Sequence, residues 1–129
     1  MNVSAILTRI TSQCPGFAFV GHALTSDHEY NYPAAFLTPV RRVAEFPRML
    51  GYHAQMTRQT FGVYVVVRRA AGTDPDLIDD LCAELRTALI DWTPGGDDQP
   101  LFYVGGELAE QNGIACWRED FASDVDLRD

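Results

Sequence analysis

An α+β fold, with a mixed and mainly antiparallel sheet and two helices packed on one face of it, is what this sequence predicts. Three observations lead there. TFGVYVVVRR, residues 60–69, is apolar on both of its alternating sets of side chains. A strand with one wet face alternates apolar and polar, whereas a strand covered on both sides reads this way. DPDLIDDLCAELRTALIDW, residues 74–92, repeats its apolar residues at helical spacing. The other apolar segments are short and bounded by proline, glycine and polar turn formers, as strands are.

The elements follow in chain order as α-β-β-β-α-β-β. Val3, Ile6, Leu7 and Ile10 form one stripe of a helix over 2–13, which Pro15-Gly16 ends. FAFVG, 17–21, is a short strand, and PAAFLTPV, 33–40, a second, with prolines at its entry and exit. Residues 41–58 fit neither period and carry four arginines, a proline and a glycine; they are expected to form a long loop, arm or extended hairpin. A third strand covers about 59–69. The second helix has Asp74 at its N-cap, Pro75 in its first turn and a wide apolar face from Leu77 to Trp92. Two strands, 101–110 and 114–128, then pair across a Gln-Asn-Gly turn, and 123–129 forms an acidic tail. Two helices cover one face of such a sheet. The other face, with Tyr64 and Val66, is left for a second chain.

With 129 residues, 47% hydrophobic and 22% charged, the chain is a single globular domain spanning 1–129. No basic segment precedes a continuous apolar run in MNVSAILTRITSQCPGFAFVG, so a signal peptide is not expected and a cytosolic origin is. Cys14, Cys82 and Cys116 lack any metal-ligand spacing and sit among apolar residues, which makes them buried free thiols.

Net charge is −8 and unevenly spread. Residues 1–73 hold seven arginines against three carboxylates, a formal +4, and residues 74–129 hold three arginines against fifteen, a formal −12; there is no lysine. An acidic total argues against gripping a phosphate backbone. A basic and an acidic half allow copies to dock head to tail. Arg41, Arg42, Arg48, Arg58, Arg68 and Arg69, with Tyr64 and Val66 of the uncovered face, are therefore the candidate interface residues.

Catalytic and metal motifs are missing. There is no phosphate loop, nucleophile elbow or His-Glu-x-x-His. Asp79-Asp80 fall on the polar side of the second helix, and Glu119 and Asp120, adjacent in a strand, point to opposite faces and cannot share a substrate. No cofactor, metal or catalytic residue is expected. The glycines of YVGGEL are read as a bulge or a close backbone approach.

The blocks YPAAFLTP, QTFGVYVVVRR, TDPDLIDDLCAELRTALIDW and PLFYVGGELAEQNGIACWREDF, in that order, resemble the tail-terminator proteins of long-tailed bacteriophages and prophages, the family that includes the lambda tail terminator. The resemblance spans the chain. It implies a structural virion protein, not an enzyme, at the head-proximal end of the tail, assembled in the host cytoplasm. It implies a homohexameric ring that caps the tail tube, stops its polymerisation and meets the head-side connector, with DNA passing through the lumen. Another ring-forming neck or tube component, and a small ligand-binding domain with Tyr64 and Trp117 lining a pocket, are the alternatives.

Overall fold

In a computed structural model the described residues are 1–22, 31–44, 55–68, 76–95, 99–109 and 114–127. They form two helices and six strands. The elements are α1 (Val3–Gln13), β1 (Phe19–His22), β2 (Ala34–Leu37), β3 (Arg41–Ala44), β4 (Gln55–Arg68), α2 (Leu77–Leu89), β5 (Phe102–Leu108) and β6 (Ile114–Leu127). No described helix is long and apolar enough to cross a membrane.

The sheet order is β1-β2-β4-β6-β5, with β3 also on β4. Only β1–β2 is parallel. Its spine is the antiparallel pair β4–β6, which runs from Gln55↔Leu127 to Arg68↔Ile114. On the other side of β4, β2 pairs with residues 63–66 and β3 with residues 57–60. The two are thus one line of chain interrupted at Thr38-Pro39-Val40. Proline cannot donate to a ladder, and Thr38 bridges the gap: its backbone N–H donates to Gly62 O (2.9 Å), and its hydroxyl accepts from the Gly62 N–H (2.7 Å).

Both helices pack on one face, as expected. Phe61, Val63, Val65 and Val67 of β4 meet Ile6 and Ile10 of α1 and Leu81, Cys82, Leu85, Ala88 and Leu89 of α2 in the main core. The Asn2 side chain caps α1 by accepting from Ala5 N. Asp76 stands at the start of α2, with Asp79 and Asp80 exposed in its first turn. The predicted cap Asp74 and first-turn Pro75 lie outside the described residues, as does the Gln-Asn-Gly turn. Arg9 Nε donates to Ala88 O at 2.9 Å and ties the helices together.

One expectation is corrected: a fourth strand precedes α2 and β4 begins at Gln55 rather than near 59, so the order is α-β-β-β-β-α-β-β. Residues 41–44 pair antiparallel with β4, which fits the extended-hairpin alternative for 41–58 and not a loop. The strand expected over 114–128 is β6, and its end, residues 123–127, which overlaps the expected acidic tail, pairs with β4 along its whole length.

Candidate assembly interface

The face away from the helices is where sequence reasoning left an apolar surface. Most of that surface is already covered. Val66, 7% exposed, lies in a second small cluster with Ala34 and Phe36, and Tyr32, Tyr64 and Cys116 pack against it. The register explains why: Ala34↔Val66 and Phe36↔Tyr64 put β2 side chains beside β4 on this face. Aromatic rings close over the valine where no helix reaches. Val66 therefore has little surface left for a neighbour, and the valine-rich strand is dry within one chain.

Further along, this face becomes a lattice of opposite charges. Arg118 contacts Glu107 Oε1 and Asp120 Oδ1, each at 3.0 Å. A hydrogen bond with Tyr64, then Asp120 and Glu107, hold the Arg118 guanidinium above its ordinary pKa against the opposing effect of burial. Gly62 leaves room for them: a Cβ there would stand 2.7 Å from Asp120 Oδ1 and 3.0 Å from Arg118 Cδ and would push the pair aside. Arg58 pairs with Asp124 at 2.9 Å across β4–β6, and Arg68 lies over the Tyr32 ring. Of the candidate interface residues, Arg58 and Arg68 are thus engaged within the chain, and Tyr64 is half-buried. Arg48 and Arg69 lie outside the described residues.

Arg41 and Arg42 differ. All four residues of β3 are exposed. Neither arginine forms an ion pair among the described residues, and β3 has β4 alone as a ladder neighbour there. The opposite edge strand, β5, has β6 alone as a ladder neighbour among the described residues and exposes Val104 and Leu108. It carries a bulge between Tyr103 and Gly105, and a Cβ at Gly106 would fall 2.7 Å from Trp117 Nε1. The two glycines of YVGGEL thus serve a bulge and a close approach, as expected.

Glu119 and Asp120 do point to opposite faces. Asp120 belongs to the charged lattice. Glu119, 1% exposed, lies under α2, where Arg86 Nη1 (3.1 Å) and Trp117 Nε1 (2.9 Å) both donate to its Oε1. Its burial was not legible locally, because WREDF reads as a polar strand end. Burial and this carboxylate raise Cys82 to about 12 and Tyr103 to about 12. Cys14 and Cys82 are buried free thiols and Cys116 is half-buried. Trp117 pairs with Val65 and Tyr64 with Arg118 in register, so Trp117 and Tyr64 stand on opposite faces of the sheet. A ligand pocket lined by both is ruled out.

The sheet is covered by helices on one side and carries ion pairs on the other, and among the described residues β3 and β5 each have one ladder neighbour. The chain matches the phage tail terminator protein family over residues 1–129 and belongs to it. It is a structural protein of the phage virion's tail. A chain in the virion of a native gene transfer agent particle shares the fold, with a TM-score of 0.67 at 13% identity over 96% of this chain and 93% of that one. Among curated proteins none matches significantly.

Proposed function

We propose that copies of this protein close into a ring on the finished tail tube, end its polymerisation, and offer their outward surface to the head-side connector. The match to the terminator family over residues 1–129 carries this reading. A count of six follows from the family resemblance. The ring sits at the head-proximal end of the tail after assembly in the host cytoplasm, and works without catalysis or cofactor. DNA passes through the lumen without specific binding; a net charge of −8 supports this, since like charges repel and keep the strand from adhering.

The experiment is mass in solution by light scattering, with negative-stain images of the same peak and a capping assay on purified tail tubes. A closed ring near six times the 14.4 kDa of one chain, which binds tube ends and halts growth, is the expected result. Filaments that lengthen with concentration would assign the chain to the tube itself.

A further inference from the structure

We infer that β3 of one copy pairs, in parallel, with the outer end of β6, residues 123–127, of the next copy, and that this strand pairing is the junction of the ring. The inference rests on the ring reading above and names the surfaces that make it.

Beyond the helices the sheet narrows to a three-stranded arm, β3-β4-β6. Its rows are read from the registers: Ala44↔Thr57↔Val125, Val43↔Arg58↔Asp124 and Arg42↔Gln59↔Ser123. The last ladder partner of β6 on β5 is Ala122, opposite Phe102. From Ser123 to Leu127, β6 therefore has a strand neighbour on the β4 side alone among the described residues, and β3 likewise has β4 alone. An unpaired strand edge is a template for another strand. Among the described residues both outer edges of this arm lack a second ladder partner; β3 has four residues and this end of β6 five, the first of them, Ser123, being buried with its hydroxyl donating to Gln99 O at 2.6 Å.

The edges differ in charge. Arg41 and Arg42 lie in β3 with no carboxylate among its four residues, while Asp124 and Asp126 lie in the outer end of β6 with no arginine. Two β3 edges repel one another, and so do two β6 ends. Only β3 against β6 brings opposite charges together, which selects one pairing by penalising the others. Contact between two different edges is heterologous; repeated, it gives a ring or a filament rather than a closed pair. Direction follows too. β3 and β6 are both antiparallel to β4 and so run the same way; a neighbour rotated about an axis along the arm presents its β3 parallel to β6.

Asp124 is prepared for a second arginine. Arg58 holds it from the β4 side, with Nε at 2.9 Å from Oδ1 and Nη2 at 3.4 Å from Oδ2, and its side chain remains 34% exposed. A carboxylate accepts about four hydrogen bonds, which leaves capacity for a guanidinium from the neighbour's β3.

Two variants of the full chain test this: Arg41→Glu/Arg42→Glu on one edge and Asp126→Arg on the other, each checked for folding by circular dichroism. Each alone is expected to fall from ring mass to single-chain mass. Mixed in equal amounts, they regain the native junction between the β6 end of the first and β3 of the second, and the glutamates of the first face the arginine introduced by Asp126→Arg in the second, so assemblies larger than one chain are expected only in the mixture. Persistence of rings in the double arginine variant would overturn the strand junction and leave the ring reading intact. A wild type that stays single-chain on tubes and in solution would overturn both. If the glutamates unfold the chain, Arg41→Gln/Arg42→Gln replaces them, and a ring that survives this change in high salt rules the junction out.

Discussion

Glu119 and Arg86 join β6 to α2 through a pair in which the carboxylate is 2% exposed and the guanidinium 38%. Removing one partner of such a pair strands the other, and the stranding costs most where the remaining charge is buried. Arg86→Ala leaves the carboxylate in the core without its cation, and is expected to cost about 3 kcal/mol in chemical denaturation. Glu119→Gln leaves an arginine that can turn to water, and should cost less. The thiols add a pH dependence. Burial and Glu119 lift Cys82 from 9.0 to about 12, and burial and Glu84 lift Cys14 from 9.0 to about 11. Above pH ~9 the unfolded chain releases these protons while the folded chain keeps them, so stability falls as pH rises. The urea midpoint should be level with respect to these groups up to pH ~9 and decline beyond it, less steeply in Cys82→Ala; both thiols should resist a thiol reagent until the protein is unfolded.

At the scale of elements, the interruption between β2 and β3 is a joint held by the Thr38–Gly62 hydrogen bonds. Thr38 stands where Pro39 ends the ladder, and its hydroxyl replaces the missing acceptor for Gly62 N–H. Thr38→Val keeps the shape and removes that acceptor, leaving a partly buried N–H unpaired at a cost of about 1–2 kcal/mol. Amide exchange should speed at Gly62 and along β3 while β2 stays protected. Elements with long, self-consistent patterns were legible in the sequence: α1, α2 and the apolar faces of β4 come from spacing alone. β3 was not. Its four residues, RRVA, include two arginines and no alternation, and they become a strand because β4 extends a ladder beside them. The end of β6 lies within the strand expected over 114–128, and β4 carries its ladder to Leu127.

Across the whole molecule, the apolar character of Val66 belongs to folding, and the proposed junction assigns the charge of Arg41 and Arg42 to assembly. Val66→Ala should lower stability by about 2 kcal/mol, since the side chain is buried among Phe36, Tyr32 and Cys116, and should leave the ring mass unchanged at temperatures well below unfolding. A candidate interface residue is thus apolar, as expected, and is covered for the most part by its own chain, because spacing cannot tell whether a helix, an aromatic ring or a neighbour will cover it.

The amino-acid sequence by itself determined the α+β class, the two amphipathic helices, the two-sided apolar strand, the uneven charge and, through ordered blocks, the resemblance to tail terminators. Those depend on periodicity and composition, which are local. Only the tertiary structure decided that the second sheet face closes on its own side chains, that Glu119 is buried beneath Arg86, and that two strand edges of opposite charge, each without a second ladder partner among the described residues, flank one arm. Each of these depends on strand register, which brings together residues far apart in the chain and is set by packing rather than by neighbours in sequence.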